Sequence, residues 1–318
     1  MPLFPEGLRF GIHAGQQYTD FPSYLQLWRT AEELGLDWAS VFDHFMPIQA
    51  DPEGPCFEGL SLLSAMAAHT KRLRCGIIVA GVTYRHPALI AKIAATIDHV
   101  SGGRLELGMG GAWYQLEHDQ YGIPFPPIAQ RLSMLAEAAG IVKSLWTRPT
   151  TTFSGRHYQL RQARSEPKPL QEPHIPLWIG GAGERRTLRV VAEHADGWNT
   201  FLMPIEDYQH KLAVLDRHCA DLGRDRSQIR LQLVLQAVLG ADEHEVADQL
   251  RLRARALALE PEQLRERVLA LTPEQLTAQL APYVDLGVCD FLLLARPPMD
   301  QRTLQLFAHE VAPALRAR

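Results

Sequence analysis

Asp43 and His44 directly follow the apolar run from Trp38 to Phe42, so both side chains emerge where an extended segment ends. A neutral imidazole in that position can relay a proton or donate to a bound ring. A carboxylate beside it can bias the tautomer or hold a polar group of a ligand. The pair also fits a turn cap, in which Asp43 satisfies backbone amides while His44 packs. No His-x-His or His-Glu-x-x-His accompanies it, so the pattern gives no support to a metal site.

Three glycine-bearing stretches add candidates. Residues 76–87 end a strand and run into Pro87, a first-turn residue for the next helix, and Gly81 with Thr83, Tyr84 and Arg85 allows close approach of a ligand. An ordinary strand-to-helix loop explains that stretch equally well. Residues 102–113 carry Gly108, Gly110 and Gly111 after a strand, which permits positive φ or contact with a flat or phosphorylated ligand. Trp113 and Tyr114 beside them wall an aromatic pocket or simply pack. The dinucleotide fingerprint GxGxxG is not met there. Residues 178–187, WIGGAGERRT, form the strongest local feature: a strand enters Gly180, Gly181, Ala182 and Gly183, and a helix starts at Glu184. Backbone N–H groups and the positive helix end then face the loop, and Arg185 and Arg186 offer forks for a phosphate. The competing reading is a tight turn with two solvent-facing arginines. Asn199, at the end of the next strand, is placed to bond cofactor or substrate.

The elements that must position these residues alternate along the whole chain. Short apolar runs at 8–13, 38–42, 74–79, 105–108, 177–179, 197–199, 231–238 and 291–294 read as strands. Amphipathic stretches at 24–34, 60–70, 88–100, 128–145, 184–194, 205–222, 243–284 (broken at Pro261 and Pro273) and 303–315 read as helices, and Gly35 and Gly223 sit just past helix ends. Eight such units predict an α/β fold, a closed (β/α)8 TIM barrel in preference to an open doubly wound sheet, spanning 1–318 as one domain. Two connections exceed ordinary barrel loops: about 147–176, with a small hairpin near 152–160, and about 241–282. They are insertions after strands four and seven.

The bulk numbers exclude other classes. The 318 residues are 46% hydrophobic and 21% charged with a net charge of −4, which suits a large core and argues against a nucleic-acid partner. Cys56, Cys75, Cys219 and Cys289 form no CxxC pair and read as reduced thiols. The start lacks a basic region followed by an apolar run, and no stretch approaches a membrane span, so a soluble cytoplasmic protein is expected.

Taken together, VFDHF at 41–45, TYRHPAL at 83–89, SGGRLELG at 101–108, IPFPP at 123–127, IGGAGERRTL at 179–188 and ADGWN at 195–199 resemble the luciferase-like flavin oxidoreductases, the LLM class, and in particular their coenzyme F420-dependent branch. The likeness is close over the first two thirds of the chain and general beyond. It implies a deazaflavin or flavin ring at the barrel mouth with its phosphate held by the loop Gly180 to Arg186, and often a homodimer. By position His44 lies beside the ring and Asp43 near its edge, with Gly110, Gly111, Thr83 and Trp113 around it and Trp113, Tyr114 and Asn199 toward the substrate. Ile78, Val79 and Ala80 carry a backbone bulge behind the ring, frequently with a non-prolyl cis peptide. The related sugar-phosphate dehydrogenases carry a glutamate acid where this chain has Trp113, with Glu117 a turn further on. That departure argues against their activity and leaves His44 as the well-placed proton donor.

The function expected is hydride transfer between coenzyme F420 and a small organic substrate. The alternatives are an FMN-dependent monooxygenase using O2 and reduced flavin, a non-catalytic flavin-binding barrel, and a metal-dependent barrel hydrolase. A flavin reductase or F420-reducing enzyme is the implied redox supplier. The long acidic tail of the deazaflavin calls for further cations, for which Arg85 and Arg164 are available.

Overall fold

The computed structural model describes residues 3–48, 50–295 and 300–318. Eight parallel strands close into a barrel: β1 (Arg9–Ala14), β2 (Trp38–Val41), β3 (Arg74–Gly81), β4 (Leu105–Gly110), β5 (Leu177–Gly180), β6 (Gly197–Phe201), β7 (Arg230–Leu235) and β8 (Val288–Ala295), which pairs back onto β1. All eight lie on the expected runs. The run at 231–238 divides at Gln236: its second part, Ala237–Leu239, leaves the barrel and pairs in parallel with Leu269–Leu271 inside the second insertion. No turn residue marks that break, which is why the sequence reads as one strand.

Alternation along the strands sorts the core into two parts. Phe10, Ile12, Leu105, Leu107, Leu231 and Leu233 join the large apolar layer between strands and helices. Trp38, Ile78, Trp178, Val234 and Leu292 form a smaller cluster inside the barrel. The barrel's N-terminal end is sealed by charge instead. Arg9 bonds Glu106 at 2.6 Å and also pairs with Asp290, Arg74 pairs with Glu106, Arg230 pairs with Asp290, and Trp178 Nε1 donates to Glu106 at 2.7 Å. Glu106 is fully buried, and although burial pushes its carboxyl up, Arg9 and Arg74 outweigh this and hold it at about 2.

The helices follow the expected pattern, with Asp20 capping Phe21–Glu33 and Gly35 taking φ +76° just past its end. Three differences bear on the site. The helix expected from Glu184 begins at Thr187, as Thr187–His194. A helix at Gln115–Tyr121 was not expected. The second insertion holds Glu243–Ala256, Pro261–Arg265 and Pro273–Asp285 as separate helices, interrupted by the strand Leu269–Leu271. The first insertion carries the expected hairpin, Thr151–Ser154 with Gln159–Ala163. The four cysteines are free, and among the described residues no helix is long and apolar enough to cross a membrane.

Candidate active site

A cavity of about 480 Å³ opens where the eight strands end; seven of them contribute to its wall, from His13 of β1 to Leu294 of β8, and β2 does so through Phe42, Asp43 and His44 just beyond its end. The C-terminal face is where barrel enzymes assemble chemistry, because the loops there can vary without disturbing the strands.

His44 is held on this wall by a carboxylate. Its Nδ1 lies 2.8 Å from Glu117 Oε2, and the Phe42, Trp113 and Tyr114 rings surround it at 5.2, 5.4 and 5.9 Å. Glu117, on the unexpected short helix, is buried and also accepts from Tyr84 OH at 2.6 Å and from the Phe45 and Met46 amides at 2.5 and 3.2 Å. Burial pushes this carboxyl up, but the bonds from His44, Tyr84 and Phe45 outweigh it and hold the group below the ordinary carboxylate range. An ionised carboxylate only accepts, so Nδ1 carries the proton, and Nε2 is the ring nitrogen without a partner among the described residues. The sequence suggested that Asp43 would set this tautomer; Glu117 does so. A separated glutamate in a short polar stretch, QLEHDQY, gave no signal beyond its distance from Trp113.

Asp43 is instead clamped by Arg85, whose Nη1 donates to both carboxylate oxygens at 2.9 and 2.8 Å, and by the Gly81 amide at 2.9 Å. Burial pushes the carboxyl up, opposed by Arg85 and Gly81. Arg85 also pairs with Glu58, so it is committed to the protein and not free for a cofactor tail as expected. His13, which sequence reasoning passed over, lines the cavity with Nδ1 2.9 Å from Ser40 Oγ; burial and the nearby His44 push it down to about 4.

The back wall is built by β3. The Ile78–Val79 peptide bond is cis, and the register between β3 and β4 slips between Ile77 and Ala80, so the expected bulge is present. Val79 fills the space above three glycines. A Cβ on Gly108, Gly110 or Gly180 would stand 2.9, 2.5 or 2.7 Å from a Val79 methyl. Gly110 and Gly180 therefore admit Val79, whereas at Gly108 the Ile77 carbonyl oxygen is the nearer obstacle to a Cβ; none of the three has positive φ, contrary to one expectation for the β4 loop. Gly181, at φ +114°, is the loop position that needs glycine for its conformation.

The remaining expected residues divide. Ile78, Val79, Gly110, Gly111, Trp113, Gly180, Gly181 and Asn199 line the cavity with Asp43 and His44. Ala80 faces the outer apolar layer, and Thr83 bonds His118 Nε2 at 2.7 Å, so neither reaches the cavity. Tyr114 packs on His44 from behind. The loop residues Ala182, Gly183, Glu184, Arg185 and Arg186 lie beyond the cavity wall. Glu184 is tied to Lys211, and Arg186 donates to the Ala129 carbonyl at 2.7 Å. The Gly181 amide is used by the Asn199 carbonyl. The amides of 182–186 have no partner among the described residues, which leaves a run of donors before the helix Thr187–His194.

A family model described as luciferase-like monooxygenase matches residues 5–258. The chain belongs to the luciferase-like monooxygenase family. Among relatives of this luciferase-like protein is one from Microbacterium testaceum named F420-dependent glucose-6-phosphate dehydrogenase, 29% identical over 337 residues and covering 98% of each chain. Another of that name, from Amycolatopsis mediterranei, is 30% identical and covers 90% of this chain and 92% of its own. Among solved structures, an F420-dependent secondary alcohol dehydrogenase in complex with an F420-acetone adduct superposes with a TM-score of 0.82 at 19% identity, covering 98% of this chain and all of the other. At that identity the likeness bears on the fold of this luciferase-like chain alone.

Proposed function

We propose that this protein is an F420-dependent oxidoreductase, in which coenzyme F420 exchanges a hydride with an organic substrate held in the cavity. The observation that carries the reading is the His44–Glu117 pair at 2.8 Å on the wall of a cavity whose back is smoothed by Val79 lying over Gly110 and Gly180. The residues present fit such a group: Gly110 and Gly180 leave room for Val79 to form a smooth back wall that a Cβ at either glycine would push into the cavity, and the free amides of 182–186 with Arg185 supply donors for a phosphate. The deazaflavin supplies two-electron redox chemistry when bound. The chain supplies the rest. His44 takes or returns a proton at Nε2, and Glu117 fixes the ring and stabilises the imidazolium that forms. Ile78, Val79 and Gly110 support the ring, Trp113 and Asn199 border the substrate, and the apolar wall excludes water.

One observation favours a second reading, the FMN-dependent monooxygenase. Arg85 is spent on Asp43 and Glu58, so fewer cations face a long acidic tail. The reading takes 1–318 as one barrel domain, in a cytoplasmic homodimer resupplied by an F420-reducing enzyme or a flavin reductase. Titrating the purified protein with coenzyme F420 and separately with FMN, followed by fluorescence quenching, tests it. Tighter F420 binding, weakened in Arg185→Ala, supports the deazaflavin reading; tighter FMN binding moves the assignment to the monooxygenase.

A further inference from the structure

We infer that Tyr84 is a positioning residue that sets the proton affinity of His44 through the carboxylate the two side chains share. Its meaning for catalysis rests on the proposed oxidoreductase reading; the geometry that carries it does not.

Glu117 Oε2 accepts two side-chain bonds at once, from His44 Nδ1 at 2.8 Å and from Tyr84 Oη at 2.6 Å. Oε1 takes backbone donors, the amides of Phe45 and Met46. Among the described residues, Tyr84 is therefore the one side chain that competes with His44 for the negative charge of Glu117. Burial and Glu117 push its phenol well up, so it stays a neutral donor wherever an imidazole titrates. A donor on a carboxylate spreads the charge and weakens the group as a partner for anything else bound there. An imidazolium at position 44 is accordingly held less firmly than it would be by a bare carboxylate. Its Nε2 gives up the proton more readily, and the ring is available as a proton acceptor at lower pH.

The surroundings keep Tyr84 on this bond. Its ring lies on His118 with centroids 4.8 Å apart and against Phe45 at 4.7 Å. His118 is fixed in turn by Thr83 Oγ1 at 2.7 Å and the Tyr114 carbonyl at 2.8 Å. A Cβ on Gly81 would stand 2.5 Å from the edge of the Tyr84 ring, so that glycine leaves the ring its place. The other ionisable groups around His44 keep their charge. Asp43 is clamped by Arg85, which also holds Glu58. Burial and Glu117 push the Cys56 thiol up to about 12, while burial and His44 push His13 down to about 4. The Tyr84 hydroxyl is thus a part of this wall that can be changed without adding or removing a charge.

The test is NMR titration of the His44 ring in three full-length proteins: the parent, Tyr84→Phe, and one with Tyr84 replaced by 3-fluorotyrosine, a stronger donor of nearly the same shape. The signal is assigned by its loss in His44→Gln. Two or three donors together lower a carboxylate by about two pH units, so losing one of them in Tyr84→Phe is expected to raise the His44 midpoint by about 0.5–1 unit. The fluorinated protein is expected to shift it the opposite way. An unmoved midpoint in both, or shifts of the same sign, overturns the inference and leaves Tyr84 a packing residue. Should Tyr84→Phe fail to fold, the fluorinated protein, which keeps every bond, decides by the sign of its shift. F420 binding to the parent is followed in parallel by fluorescence quenching. Opposite shifts in a protein that does not bind F420 support the role of Tyr84 and count against the cofactor reading alone.

Discussion

Gly110→Ala should destabilise the protein and weaken its cofactor, and Val79→Ala should rescue both. A Cβ at Gly110 would stand 2.5 Å from Val79 Cγ2, while the next atoms are Val79 Cβ at 3.6 Å and the Gly180 carbonyl at 3.9 Å. One methyl is thus the whole obstruction, and the backbone at Gly110 is one that alanine can adopt. Overpacking of this kind costs about 1–3 kcal/mol. Val79→Ala alone removes methyl groups from a half-buried position and costs about 1 kcal/mol. In the double variant the new Cβ makes only ordinary contacts, so its stability should match Val79→Ala within about 0.5 kcal/mol, a coupling energy of about 1–3 kcal/mol. Urea unfolding of the four proteins reads this directly. F420 affinity should follow the same pattern, because a displaced Val79 intrudes on the cavity. Additive losses in the double variant would falsify the packing argument.

Replacing Glu117 by Gln should lower kcat by about 10- to 100-fold with little change in KM, since the ring stays in place but its Nδ1–H loses an ionised acceptor; an unchanged kcat in steady-state assays would remove His44–Glu117 from the mechanism. Glu106→Gln should cost about 3–5 kcal/mol by leaving Arg9 and Arg74 under-compensated, seen as a fall in Tm of roughly 5–15 °C. In the parent protein Glu106, held at about 2 against an ordinary 4.5, contributes stability that is complete above pH 4.5 and is lost as pH falls toward 2. His13, held at about 4 against 6.5, stays neutral in the fold while the unfolded chain takes up a proton, so about 3 kcal/mol of stability should disappear between pH 6.5 and 4. His13→Gln should flatten that limb in denaturant titrations at several pH values.

The barrel was legible because parallel strands buried on both faces leave continuous apolar runs between turn residues, and each of the eight runs survived folding as a strand. What the sequence concealed lies where local pattern and tertiary role part. The helix Gln115–Tyr121 buries Glu117 and His118, so its inward face is polar and has no hydrophobic period to find. Ala237–Leu239 continues the apolar run of β7, and Leu269–Leu271 sits in a leucine-rich stretch that reads as helix. At the site, the positions of His44, Asp43 and the glycine loops could be read, but not their partners. Arg85 is 42 residues from the carboxylate it clamps, and Glu117 is 73 from His44, distances over which only the closed barrel brings groups together.

Glu117 also has a consequence for how such a protein can be altered. Through its bonds to His44, Phe45, Met46 and Tyr84 it ties together the segments following β2, β3 and β4. These three loops form one transplantable unit: a graft from a relative that replaces one of them strands a buried carboxylate or a buried amide in the other two. Variation is cheap elsewhere, at Ile128 and Phe201, which line the cavity, are more than half exposed and form no hydrogen bond, ion pair or ring contact with His44 or Glu117. A library confined to those two positions changes what the mouth admits and leaves the proton-handling pair untouched, so new substrate ranges are accessible without rebuilding the catalytic support.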